Sequence, residues 1–286
     1  MRNLEGRVAV VTGGASGIGE ALARACARER MKVVVADIEA AGAERVAKAI
    51  VAAGGTAIGA AADVSDRASV EALADAAYRE FGAVHLLCSN AGVLATGPLV
   101  DATDHDWKWL LGVNLFGVVN GARVFVPRMR AQGGEAHIVN TASIAGLTGV
   151  PDLGVYCATK HAVVGVSEVL AHELAEDGIG VSVLCPGGVE TRIHEAARNR
   201  PAALGGPVAV AADATGDAGP DDAVDASSFE ASLQEIIGPD QVAQLVLEAV
   251  RNRELYVVTH PAWKVPFQLR ADAILEAYDR AADRRS

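Results

Sequence analysis

Short apolar runs punctuate the chain at Val8–Val11, Lys32–Ala36, Thr56–Ala61, Leu86–Ser89, His137–Asn140, Val181–Cys185 and Leu255–Thr259. Between them lie longer stretches, Arg67–Phe81 and Tyr156–Glu176 among them, whose apolar positions recur at the three- and four-residue spacing of an amphipathic helix. Runs apolar on consecutive positions suit strands buried on both faces, and strands alternating with helices imply βαβ crossovers. The pattern predicts an α/β fold, a doubly wound parallel sheet of about seven strands with helices on both faces. The 286 residues, 51% of them hydrophobic, read as a single domain spanning 1–286.

The first strand runs into Thr12–Gly19, TGGASGIG, which holds four glycines in eight residues before a helical stretch begins near Gly17. A helix start presents unpaired N–H groups and the positive end of its dipole, and glycines let a phosphate come close to the backbone. Asp37 closes the next apolar strand, 18 residues after Gly19, near the spacing at which a carboxylate meets the adenosine ribose of a dinucleotide. Ile38, Glu39 and Ala40 follow it with no Arg or Lys to take a 2′-phosphate, so the pattern favours NAD over NADP.

Further along stand Asp63-Val64, Asn90-Ala91-Gly92, Asn114, Ser143, Tyr156 with Lys160, and Pro186-Gly187-Gly188-Val189-Glu190-Thr191. Together with the glycine turn, seven motifs in this order resemble the compact single-domain branch of the short-chain dehydrogenase/reductase family, whose sheet is Rossmann-like. The resemblance covers nearly the whole chain. It implies a cofactor cradle of Gly13, Ser16, Gly17, Ile18, Gly19, Asp37 and Ile38, with Asp63 and Val64 at the adenine. It implies that Asn90, Ala91 and Gly92 hold the central portion, and Pro186, Gly187, Val189 and Thr191 the nicotinamide end. Tyr156 and Lys160 would serve both cofactor and chemistry.

Residues at i and i+4 share a helix face, about 6 Å apart along the axis, so Lys160 can sit beside Tyr156. A free phenol titrates near ~10, and a neighbouring ammonium together with a nicotinium ring lowers it towards a usable acid/base. Ser143, after the strand His137–Thr141, stands at the sheet edge where open α/β folds bind ligands, placed to hold a substrate oxygen. Asn114 lies inside the long helical stretch Asp104–Arg130; by resemblance it shapes that helix and holds a water linked to Lys160. The catalytic set is then Asn114, Ser143, Tyr156 and Lys160. His137, His161 and His172 are expected to be structural.

The implied activity is NAD-dependent interconversion of a secondary alcohol and its ketone; the composition of the lid region, about 192–238, suggests a neutral, apolar substrate, with sugar, steroid, acyl-thioester and terpenoid substrates all left open. A non-catalytic NAD(H)-sensing protein on the same fold is the alternative, although a sensor needs only the cofactor half of these motifs. The short Tyr-to-Lys spacing disfavours an enoyl reductase.

Charge narrows the partners. The formal net charge of −11 argues against nucleic acid and anionic lipid, and no signal peptide or membrane span is read, so a cytoplasmic protein is expected. Cys26, Cys88, Cys157 and Cys185 have no ligand or redox spacing and read as reduced core thiols, and no metal is expected. Nine acidic residues and no Lys, Arg or His fall between Pro201 and Val250. The segment at about 192–238 therefore reads either as a substrate lid, latched by the preceding Arg192, His194, Arg198 and Arg200 to the acidic run, or as a surface insertion. In the tail, residues 260–286, Trp263, Val265, Phe267 and Leu269 either pack on a second subunit, as the resemblance implies for a homodimer or homotetramer, or cover their own sheet.

Overall fold

The computed structural model describes residues 1–207 and 235–284. Six strands arrive in turn: β1 (Val8–Thr12), β2 (Lys32–Asp37), β3 (Thr56–Ala61), β4 (Leu86–Ser89), β5 (Ala136–Thr141) and β6 (Ile179–Cys185). Two-residue strands β7 (Gly188–Val189) and β8 (Ile236–Ile237) pair with each other, and β9 (Tyr256–Val258) completes the main sheet. The seven-stranded order is β3-β2-β1-β4-β5-β6-β9, every pair parallel. Seven strands, all parallel, are what the apolar runs predict. The order reverses between β1 and β4, and the crevice at the carboxyl ends of those strands is where such folds bind ligands.

Successive strand residues face opposite sides, so each strand feeds two cores. Ala9 and Val11 pack with α1 (Gly17–Arg28), part of α2 (Ala40–Ala52) and α7 (Pro239–Asn252). Val8 and Val10 pack with α3 (Arg67–Phe81) and with α5 (Gly117–Gln132) on the other face. The stretch read as one helix from Asp104 to Arg130 is three segments. They are α4 (Asp104–Leu110), a π-helical turn over Leu111–Phe116, and α5. By length and composition Asp104–Gln132 would be apolar enough to cross a membrane, but more than half of its apolar window is buried within this fold, as befits a core helix. All four cysteines are buried free thiols.

The two helices still to be placed are α6 (Gly154–Glu173) and the C-terminal α8 (Lys264–Asp283). None of the residues of α8 is buried; Val265, Phe267 and Leu269 stand half exposed, so they do not cover their own sheet. Trp263, just before the helix, is buried.

His137 is wholly buried on β5, its Nε2 2.8 Å from Ser182 Oγ, and a Cβ at Gly180 would stand 2.3 Å from its Nδ1. Burial pushes this imidazole down to about 3. It is structural, as expected. Above its unfolded value near 6.5 the ring is neutral in both states. Below that pH the unfolded chain takes up a proton that the folded chain refuses, so stability falls by about 1.4 kcal/mol per pH unit between roughly pH 6 and 3. His85, also lowered by burial, adds in the same direction. Urea unfolding should therefore give a lower midpoint at pH 5.5 than at pH 7, with a smaller drop in His137→Gln; equal drops in the two proteins would show that His137 is not the titrating group.

Candidate active site

The β1 strand ends on Thr12, and the turn after it brings α1 back against the strand so tightly that a Cβ on Gly19 would lie 2.0 Å from Gly13 O. Only glycine fits there. The residue before α1, Ser16, makes no side-chain capping bond, so the first N–H groups of the helix remain free to meet an anion. The Asp37 carboxylate ends β2 and accepts from Ala15 N (2.9 Å) and Glu39 N (2.9 Å), which fixes it at the rim of the cleft.

Thr12 Oγ1 accepts the N–H groups of Asn90 (2.9 Å) and Ala91 (3.1 Å), and Asn90 Nδ2 donates to Thr12 O (3.0 Å). Thr141 Oγ1 donates to Asn90 Oδ1 (3.3 Å). Three strands are thereby tied at the crevice. Asp63 and Val64 face the same cleft after β3, with Asp63 Oδ1 also taking Ser65 N (2.9 Å).

Tyr156 and Lys160 lie on the inner face of α6, both buried, with Lys160 Nζ 5.4 Å from the phenol ring centre and donating to Thr141 O (2.8 Å). Ser143 lines the same cleft as Tyr156; its Oγ accepts from Ala145 N (3.1 Å) and donates to Pro186 O (3.3 Å). Burial pushes the phenol up to about 12 against the pull of Ser143, and pushes the Lys160 ammonium down to about 8. With the protein's own groups the expected lowering of the phenol by its lysine is therefore not met. Removing both from water outweighs their attraction, and the ammonium is satisfied by a carbonyl.

Asn114 is buried in the π-helical turn, not exposed on a regular helix. Its Oδ1 accepts from Val93 N (2.8 Å), while Nδ2 donates to Val93 O (3.0 Å) and Thr159 Oγ1 (3.2 Å). It lies behind the cleft, stapling the Asn90-Ala91-Gly92 turn to α6. A Cβ on Gly92 would meet Asn114 Oδ1 at 3.5 Å and Lys160 Nζ at 3.6 Å, so the two polar groups flank one spot.

Every other residue singled out for cofactor or chemistry lines one cleft of about 480 Å³: Gly13, Ser16, Gly17, Ile18, Asp37, Ile38, Ala91, Ser143, Pro186, Gly187, Val189 and Thr191 belong to it with those named above. These residues fit a dinucleotide: a close glycine turn, free helix N–H groups and a carboxylate at the rim. The far end is apolar, walled by Val93, Leu94, Trp109, Leu153, Ile193 and Trp263. Trp263, read from the sequence only as a tail residue for packing, lines the cleft, and His260 was not singled out. Their signal is position, immediately after the last sheet strand and at its carboxyl end.

The described part of the lid region, up to residue 207, finds partners on other elements. Residues Ile193–Asn199 and Ala202–Leu204 form short 3₁₀ turns. Arg198 Nε and Asn199 Nδ2 both bond Glu39 Oε1 at 2.9 Å, Arg200 pairs with Asp106 at 2.7 Å and lies 5.3 Å from the Trp109 ring centre, and Arg192 pairs with Glu195 at 2.8 Å. Arg198 and Arg200 thus tie the strap to Glu39 and Asp106, while Arg192 pairs within the strap itself; most of the acidic run, residues 208–234, lies outside the described residues, and so does the expected latch to it.

The sequence pattern of the family described as short chain dehydrogenase matches residues 7–202. A short-chain dehydrogenase/reductase from Burkholderia phymatum, solved in complex with NAD, is 42% identical, superimposes with a TM-score of 0.85, and the match covers 97% of either chain. The C alpha-dehydrogenase of a Sphingobium species is 34% identical over 278 residues, 97% of this chain and 88% of that protein. A D-threitol dehydrogenase of Mycolicibacterium smegmatis is 40% identical over 198 residues, 69% of this chain and 76% of that one. The motifs, their convergence in one cleft and these likenesses agree: this chain belongs to the short-chain dehydrogenase/reductase family of oxidoreductases.

Proposed function

We propose that the protein is an NAD-dependent dehydrogenase/reductase that interconverts an apolar secondary alcohol and its ketone, with Tyr156 as acid and base. The observation that carries this reading is the meeting of Tyr156, Ser143 and Lys160 at the floor of a cleft whose one end fits a dinucleotide and whose other end is apolar. NAD, bound along Gly13–Gly19, Asp37 and Pro186–Thr191, would accept the hydride in oxidation and return it in reduction.

This chain's residues do the remainder. The Ser143 hydroxyl orients the substrate oxygen. In oxidation Tyr156 takes the alcohol proton; in reduction it gives that proton to the carbonyl oxygen. A phenol held near 12 by burial ionises at neutral pH only with a cation beside it. Lys160 and the oxidised cofactor's ring are the two cations this arrangement would offer. Asn114, by stapling the Val93 backbone to α6, keeps that helix and the Gly92 turn in register.

The Asp37 carboxylate supports NAD over NADP, because a 2′-phosphate would face it. The apolar wall supports a neutral, bulky substrate. Tyr256 and Val258 on edge strand β9, together with Val265, Phe267, Leu269, Ile274 and Leu275 on α8, expose apolar side chains along one end of the molecule, which supports a homo-oligomer.

Tyr156→Phe should lower turnover by about 10²–10⁴-fold while NADH binding, followed by fluorescence, is kept; Lys160→Ala should weaken both. Wild-type turnover by the phenylalanine variant would sink the mechanism. The unaltered enzyme should use NAD in preference to NADP, and Asp37→Ala should narrow the ratio of kcat/KM values chiefly by improving NADP; equal use of the two cofactors before mutation would refute the assignment. Light scattering should give a mass of at least two chains, falling when Leu269 and Ile274 are changed to Glu, whereas a monomer at micromolar concentration would discard the oligomer.

A further inference from the structure

The Pro186–Gly187 peptide is gripped from both sides. Its carbonyl, Pro186 O, accepts from Ile144 N (3.0 Å) and from the Ser143 hydroxyl (3.3 Å). Its N–H, on Gly187, donates to His260 Nδ1 at 3.1 Å, with Thr259 Oγ1 a longer second acceptor at 3.4 Å. His260 is wholly buried, and a Cβ on Gly187 would stand 2.7 Å from its ring. The imidazole therefore lies flat beneath the loop, outside the cleft.

A backbone N–H can only donate, so Nδ1 must be the lone-pair nitrogen and the proton sits on Nε2. The Thr259 hydroxyl, 2.6 Å from the same Nδ1, then donates to it as well. Nδ1 has one in-plane lone pair, so the two donors share it, and the Nε2–H on the far side of the ring is buried with no partner among the described residues.

We propose that His260 is a positioning residue of the active site. It fixes the Pro186–Gly187 plane, whose carbonyl backs Ser143 and whose glycine lines the nicotinamide end of the cleft. Resting on the function proposed above, the inference adds a residue that touches neither cofactor nor substrate yet governs both the hydroxyl that orients the substrate and the wall that receives the cofactor. A rotated plane would withdraw the acceptor from Ser143 and push Gly187 towards the cleft.

The test compares three variants at one position. Asn carries an acceptor oxygen where His carries Nδ1, Gln carries its amide one bond further out, and Leu carries none. In His260→Asn the NADH dissociation constant, read by fluorescence, and kcat should stay within about threefold of wild type. In His260→Gln and His260→Leu the dissociation constant should rise about tenfold, and kcat should fall as well, the scale expected for one lost buried hydrogen bond. Hydrogen–deuterium exchange of the peptide containing Gly187, measured without cofactor, should be slow in wild type and the Asn variant and faster in the Gln variant. Should the Leu protein not fold, the Asn-to-Gln comparison carries the test. Gln matching Asn in affinity and in exchange would overturn the proposal, as would variants that lose thermal stability alone. Exchange is read independently of the cofactor, so a wild type that binds no NADH would count against the proposed function while the exchange ranking still decides the role of His260.

Discussion

The hydroxyl of Thr12 is the constraint on which the site depends. Where β1 and β4 part, the crevice that makes room for a ligand also leaves backbone donors without a ladder partner. Thr12 Oγ1 takes two of them, from Asn90 and Ala91, and Asn90 returns a bond to Thr12 O. Through Asn90 and Thr141 the tie reaches β5, and Thr141 O in turn holds Lys160. A short polar chain thus joins the turn that would meet phosphate to the lysine beside the reactive phenol. Buried donors that find partners in this way make a crevice affordable in a fold whose strands are otherwise satisfied by one another.

Much of this was legible in the chain. Strands buried on both faces announce themselves as apolar runs, and α3 and α6 follow their periodicity to within three residues. The glycine turn is legible because only one residue type tolerates its geometry, and Tyr156 and Lys160 because helical spacing is local. What stayed hidden depends on partners far along the chain. The turn around Asn114 is π-helical, a shift in hydrogen-bond register that leaves no mark on composition. Arg198 and Glu39 lie 159 residues apart, so no local pattern of charge points to that pair. The height of the Tyr156 pKa reflects how completely the fold encloses the phenol, which its helix alone does not reveal. His260 was passed over because a histidine after a strand has many uses, and only the Gly187 amide above it identifies this one.

Burial serves the reactive pair in an unexpected direction. A buried phenol resists ionisation and a buried ammonium sheds its proton more readily than usual, so at neutral pH the phenol keeps its proton while Lys160, brought down to about 8, stays mostly charged with a narrow margin. That arrangement is poised to respond to charge: a positive group placed nearby has far more effect in such a medium than it would in water. Under the proposed function, such a site would gain its acid/base character when the cleft is filled.

The ribbon formed by Gly188–Val189 and Ile236–Ile237 carries a consequence for how such a molecule can diversify. Its strands pair side by side, so whatever chain runs between them leaves and re-enters at adjoining points. Closing a longer excursion adds only about 0.6 kcal/mol for each doubling of length. The closure cost is thus nearly blind to length, although Thr191 at the cleft and Arg198 and Arg200, bonded to Glu39 and Asp106, tie the start of the excursion to the scaffold. Substrate preference in a lineage of such proteins can drift by insertion, deletion or wholesale replacement between two anchored ends, while the cofactor half and the phenol are inherited untouched.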